Sequence, residues 1–296
     1  MKPKNKKKKL THRNVSMFLF TVPSTVLYCV FFVYPILIGI MYSFTDWNGL
    51  TQDYNFVGWK NYLAVLQNSR FQNAIKFNIK FTLLSALFTI GLSLILALIF
   101  NSNIKGKSFF RGIFFFPAVL GSLIVGLIFN EMFYRVLPVV GEALNSEVLS
   151  RNILANKSTA MYGVLFVHVW LACAMATVML LAGLQSTPQE LYEAAELDGA
   201  NKWQQFIYVT VPFLLPVLSV VTILQIKSGL TVYDVIVALT NGGPGGATES
   251  LSMLIYNHGF KEVKFSYGIA EAMILTVVIC IISFIQTSLS NKKKVY

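Results

Sequence analysis

The sequence predicts an all-α membrane protein with six transmembrane helices. Three observations carry this prediction. Of 296 residues, 55% are hydrophobic and only 12% charged; six apolar stretches are each long enough to cross a bilayer; and basic residues crowd both ends of the chain. A soluble domain carries roughly a quarter charged residues. A chain with so little polar surface cannot cover its apolar side chains in water, whereas lipid can.

Taken in order, the chain starts with a basic tail, 1–15, that holds Lys2, Lys4, Lys6, Lys7, Lys8, Lys9 and Arg13. The apolar run that follows, 16–44, exceeds the roughly 7–15 residues of a signal-peptide core and lacks a small-x-small cleavage site. It is expected to remain as the first span. A span needs about 20 mostly apolar residues, and 77–100, 109–133, 159–184, 207–230 and 267–289 each supply them. Pro35 and Pro117 are expected to bend the first and third spans, which neighbouring helices tolerate by satisfying the freed carbonyls. The expected organisation is a six-span membrane domain, 16–290, between the first tail and a second basic tail, 291–296, with Lys292, Lys293 and Lys294.

Six spans place both termini, the loop 101–111 and the segment 185–206 on one side. That side holds fourteen Lys and Arg residues. The longer loops opposite carry fewer, among them Lys60, Arg70, Arg135, Arg151, Lys157, Lys261 and Lys264. By the positive-inside rule the termini are cytoplasmic. The net charge of +11 is thus explained by topology and by attraction to anionic lipid heads, with no nucleic-acid-binding pattern beside the lysines.

The residues do not suggest an enzyme. Cys29, Cys173 and Cys280 each sit in an apolar run without metal-ligand spacing, and His12, His168 and His258 are far apart in sequence. Gly106-Lys107-Ser108 imitates the end of a phosphate-binding loop. The glycine required five residues before Gly106 is replaced by Asn101, and a membrane span precedes it instead of a buried strand.

The segment 186–216 reads STPQELYEAAELDGANKWQQFIYVTVPFLLP. Thr187 is placed to cap a helix, Pro188 suits its first position, and Glu190 stands where a capping-box acid belongs. Glu193, Glu196 and Asp198 follow, and Gly199 is expected to end or bend the helix. A second short helix through Trp203 and Phe206 then meets Pro212 and Pro216. From the residues alone, two readings stand: a helix–turn–helix that docks in a groove on another protein, or an ordinary amphipathic linker.

Glu193-Ala194-Ala195, Asp198-Gly199-Ala200 and Val211-Pro212 with Pro216 resemble the EAA loop of binding-protein-dependent ABC importer permeases. Val209 and Val211 stand where that family favours Ile or Leu. The resemblance extends to Phe114-Phe115-Phe116-Pro117, to Val57-Gly58-Trp59-Lys60-Asn61-Tyr62 and to Thr240-Asn241-Gly242-Gly243-Pro244, the last typical of the maltose-type carbohydrate branch. It implies a type I ABC importer permease fold in which the segment about 187–216 carries a cytoplasmic coupling helix. Glu193, Ala194, Ala195, Asp198 and Gly199 would meet an ATPase subunit. It also implies a second permease subunit, two ATPase subunits holding ATP and Mg, an extracytoplasmic solute-binding protein, and a bacterial cell membrane location. No cofactor is expected on this chain.

Polar groups inside spans are expensive and become functional candidates by default. His168, Leu171, Ala172 and Met175 share one helical face, and Gln225, Ser228, Gly229 and Val232 share another. Alignment through the motifs places both faces on positions that line the sugar site in the maltose-type family, although the residue identities differ from the maltose permease. His168 equally suits an interhelical hydrogen bond. Lys227, off its face, suits either an acid on the partner permease or an anionic substrate. The resemblance implies import of a sugar or oligosaccharide. The alternatives are a glycerol-phosphate-like polyol, or an ion-coupled secondary transporter, which inverted repeats and intramembrane acids would mark. The acids here lie mainly in loops, Glu271 near the start of the sixth span excepted.

Overall fold

The computed structural model describes residues 12–102, 105–147 and 149–292. Of the basic tails, Lys2, Lys4, Lys6, Lys7, Lys8, Lys9, Lys293 and Lys294 lie outside the described residues. Among the described residues, six helical spans long and apolar enough to cross a membrane run Met17–Ser43, Ser69–Asn101, Ser122–Ala143, Ala160–Gln185, Lys202–Leu230 and Phe265–Ser288. Among the described residues, extended pairing is confined to the isolated bridge Thr45–Phe56. The predicted all-α membrane architecture is the one the chain adopts.

The second, fourth and fifth spans form the centre of the bundle. Small residues let their backbones approach, as helix association in lipid requires. A Cβ on Gly229 would stand 2.8 Å from Thr82 Cα, and one on Gly183 would stand 2.9 Å from Leu214 Cδ2. Ser93 Oγ donates to the Cys173 carbonyl at 3.2 Å, and Cys173 Sγ donates back to the Thr89 carbonyl at 3.7 Å. Apolar packing continues along the bundle, from Phe71, Leu230 and Leu254 through Phe81, Val164 and Ile236 to Ala97, Leu180 and Leu214. The first span lies at the edge of the bundle, against the sixth. None of its apolar window is buried within the chain, and Gly39 meets the sixth span at Ile269 and Met273.

Three spans widen into a π-helical turn just before a proline. The turns are Cys29–Val33, Met132–Val136 and Phe206–Thr210, and the prolines are Pro35, Pro138 and Pro212. A proline ring in a helix clashes with the carbonyl four residues back. Those carbonyls belong to Phe31, Tyr134 and Tyr208, each inside its π-turn, so the extra residue relieves the clash without breaking the span.

The third span corrects the sequence expectation. The apolar run 109–133 is not one helix. A short helix, Lys107–Phe115, passes into a 3₁₀ turn, Phe116–Val119, and the chain is extended at Leu120 and Gly121 before the true span begins at Ser122. The helix ends at Phe115, two residues before Pro117, instead of merely bending there. The span then continues to Ala143, into sequence read as an external loop.

Candidate functional site: the helical elbow and the span interior

At the end of the bundle where the fourth span stops and the fifth starts, the helix Gln189–Leu197 forms the connection between them. Its start differs from expectation. Pro188 takes the N-cap position with φ −59° and ψ 134°, and no side chain caps the helix. The Thr187 hydroxyl is buried without a hydrogen-bond partner. Glu190 does lie in the first turn, where a carboxylate favours the helix dipole.

The other end is closed by a double turn. Gly199 N–H donates to the Glu196 carbonyl at 3.0 Å, and Ala200 N–H donates to the Ala195 carbonyl at 2.9 Å. This Schellman pattern requires left-handed backbone at the glycine, and Gly199 has φ +79°. A Cβ there would meet nothing within 4 Å, so conformation alone demands glycine. The next helix opens with a capping box: Asn201 Oδ1 accepts from Gln204 N–H at 2.9 Å, and Gln204 Oε1 accepts from Asn201 N–H at 2.8 Å. That helix, Lys202–Gln205, runs through the π-turn into the fifth span.

The elbow is therefore a stiff appendage of the fifth span. Glu193, Ala194, Glu196 and Asp198 are exposed, and Ala195 is half-buried. Leu197 is 90% exposed and Trp203 is 68% exposed. Large exposed apolar side chains beside acids are the kind of surface that marks an interaction site.

In the span interior, the structure places the two predicted faces differently from each other. His168 is buried with its ring edge-on to Phe81, centroids 5.2 Å apart, and its Nε2 has no partner. Leu171 and Ala172 are half-buried, and Met175 is exposed. Gln225 is buried with Oε1 unpartnered, and Ser228 is half-buried. Gly229 faces Thr82, and Val232 belongs to the central apolar packing. Thr82, Thr89 and Thr177 also bury hydroxyls without partners. Lys227 is exposed.

Sequence reasoning missed a polar network at the opposite end of the bundle. Arg70 grips Glu249 through two bonds, Nε to Oε2 at 2.7 Å and Nη2 to Oε1 at 2.6 Å, and reaches Glu262 Oε1 through Nη1 at 2.8 Å. His258 Nδ1 lies 2.9 Å from both oxygens of Glu271, which is completely buried. The hydrogen bond from Lys264, ahead of that from Arg70, holds the Glu262 carboxyl below the ordinary carboxylate range. Among the described residues, no group of three His, Cys, Asp or Glu could hold a metal ion.

Six apolar spans with an exposed helical elbow at one end define a multi-pass membrane protein. The chain belongs to the family of binding-protein-dependent transport system inner membrane components, whose model matches residues 89–295. It is 44% identical to the multiple sugar-binding transport system permease protein MsmF of Streptococcus mutans, over 93% of this chain and 95% of that protein. It is 33% identical to the trehalose/maltose transport system permease protein MalF of Thermococcus litoralis, over 93% of each. Its fold matches a chain of the bacterial alginate ABC transporter solved with an alginate pentasaccharide-bound periplasmic protein. That match has a TM-score of 0.83 at 20% identity and covers 98% of this chain and 99% of the other. The chain is thus a multi-pass permease subunit of an ATP-binding-cassette importer, not an enzyme, and it works with the partners of such a system.

Proposed function

We propose that this chain forms half of the translocation pathway for a sugar or oligosaccharide, with a second permease forming the other half. Two ATPase subunits holding ATP and Mg would drive it, and an extracytoplasmic binding protein would supply it. The sugars named for MsmF and MalF, 44% and 33% identical to this chain, support a carbohydrate cargo. The termini, the elbow and the ATPases share the cytoplasmic face of the cell membrane in this reading.

One observation carries the coupling role: the exposed acidic and apolar helix Gln189–Leu197 is locked by the Gly199 turn to the base of the fifth span. A short rigid element held at one end transmits a rigid-body rotation. Glu193, Ala194, Ala195, Asp198 and Gly199 meet the ATPase, and its closure on ATP moves the fifth span. Inside the bundle, the unpartnered His168 Nε2 and Gln225 Oε1 support a solute path along their faces with Leu171, Ala172, Met175 and Ser228. Gly229 and Val232 shape that path by setting how closely the spans pack.

The test is ATP-driven uptake in vesicles containing all subunits. Glu193→Lys is expected to abolish uptake while the chain still inserts and assembles. Uptake at the normal rate would overturn the coupling assignment.

A further inference from the structure

At the end of the bundle opposite the elbow, the structure holds a cavity of about 590 Å³. It lies between the start of the second span, the glycine-rich turn after the fifth span, and the helix Leu251–Tyr256 with the turn Asn257–Lys261 that follows. Pockets of roughly 300–1,000 Å³ accept small organic ligands. These walls mix apolar surface with several polar groups: Asn73, Asn241 and Asn257 supply amides, Arg70 and Glu249 a charged pair, and Gly246 bare backbone.

Two features select the ligand. Asn257 is only 7% exposed, and its Nδ2 donates to Glu249 Oε1 at 3.1 Å. A carboxylate only accepts, so that bond fixes which end of the amide is oxygen. Asn257 lines the cavity, and the Oδ1 so defined is buried without a partner, an acceptor left in need of a donor. Within the wall, Arg70 is already taken by Glu249 and Glu262, while the exposed Lys261 lies 5.6 Å from the centre of the Tyr256 ring. What remains is a mixed set of amide donors and acceptors around a charge-balanced pair. This suits a neutral molecule rich in hydroxyls, each able to donate and accept.

The geometry points to a carbohydrate subsite in this cavity, separate from the His168 and Gln225 faces, that takes sugar hydroxyls at the outer mouth of the bundle. Its place in transport rests on the sugar-import reading; the binding itself does not. Asn257 Oδ1 accepts from a sugar hydroxyl, and Asn73, on the exposed first turns of the second span, contacts the same ring.

Ser69 lines the cavity and is exposed, so Ser69→Cys gives a reporter that differs by one atom. In the assembled importer in lipid nanodiscs, the rate of reaction with a polar maleimide is measured against the unsubstituted chain. The additions are maltose, trehalose, raffinose or maltotetraose, with a short polyethylene glycol as control. At least one sugar is expected to slow labelling saturably while the glycol does not. Adding Asn73→Leu or Asn257→Leu is expected to weaken that protection about three- to tenfold, the loss of one hydrogen bond. Asn73→Leu, on an exposed helical face, keeps the test alive if the buried variant fails to assemble. Equal labelling with every sugar, equal slowing by the glycol, or full protection in the Asn73→Leu chain would overturn the subsite. Protection without import of the protecting sugar would support the subsite and count against the transport reading. Import without protection would sink the subsite alone.

Discussion

Tyr192 Oη lies 2.9 Å from Thr210 Oγ1, tying the middle of the elbow helix to the π-turn at the base of the fifth span. The Thr210 hydroxyl is buried, so this bond is a fixed strut. Tyr192→Phe removes it and little else, at a cost of about 1 kcal/mol. The expected result is a chain that assembles normally but imports several-fold less solute per ATP hydrolysed. Uptake and hydrolysis measured on the same proteoliposomes would check it, and an unchanged ratio would exclude the strut.

Gly199 permits a graded test, because its requirement is conformational and not spatial. Gly199→Asn is expected to be mild, since asparagine tolerates left-handed backbone. Gly199→Ala should cost about 1 kcal/mol, and Gly199→Val more, through strain in the turn. Uptake is expected to fall in that order while membrane insertion stays constant. Equal uptake across the series would show that the turn is dispensable.

Much of this architecture is legible in the sequence, for reasons that also mark where reading fails. Length and apolarity locate the first, fourth, fifth and sixth spans to within a turn or two, whereas the second begins at Ser69, eight residues ahead of its apolar run, because polar residues can extend a helix past the apolar stretch. The third misled because hydropathy is indifferent to backbone continuity: 109–133 is apolar throughout, yet Pro117 and the extended Leu120 and Gly121 divide it. The elbow was readable because its signals are local, from Glu190 in the first turn to Gly199 at the end. Thr187 was not, since its hydroxyl is buried without a hydrogen bond and caps nothing. The Arg70–Glu249 pair was invisible because its partners are 179 residues apart, and no periodicity links them.

That pair should be structurally expensive to break. Glu249 keeps only 10% of its side-chain surface exposed, although Arg70 keeps 43%. Glu249→Gln leaves the shape and removes the charge, and a loss of roughly 1–3 kcal/mol is expected. The melting temperature of the purified complex should drop by a few degrees. Combined with Arg70→Met, the loss should be clearly less than the sum of the single losses, as for residues sharing one network. Additive losses would mean that the contact contributes nothing.

Glu262 gives the network a pH dependence of definite sign. Its carboxyl is held below the ordinary value of 4.5 by Lys264 first and Arg70 second. Its stabilising contribution is therefore complete above about pH 4.5 and is lost as pH falls through the lowered value. Glu262→Gln should lower thermal stability at neutral pH and flatten the decline on the acid side. Parallel curves for both chains over that range would show that the carboxylate plays no part.

The unpartnered polar atoms inside the spans distinguish a solute path from simple helix glue. A buried acceptor without a donor costs about 1–3 kcal/mol, whereas an apolar replacement of the same shape leaves stability equal or higher. Gln225→Met, which removes the orphan Oε1, and His168→Phe, which keeps a ring edge-on to Phe81 while removing Nε2, are both such replacements. If these groups serve solute, each variant should melt at or above the temperature of the parent chain yet import less, with altered preference across a sugar panel. If they serve helix association through ordered water, the variants should lose stability and transport unchanged in selectivity. Melting and uptake measured together on the same preparations separate the two, because the predicted changes in stability have opposite signs.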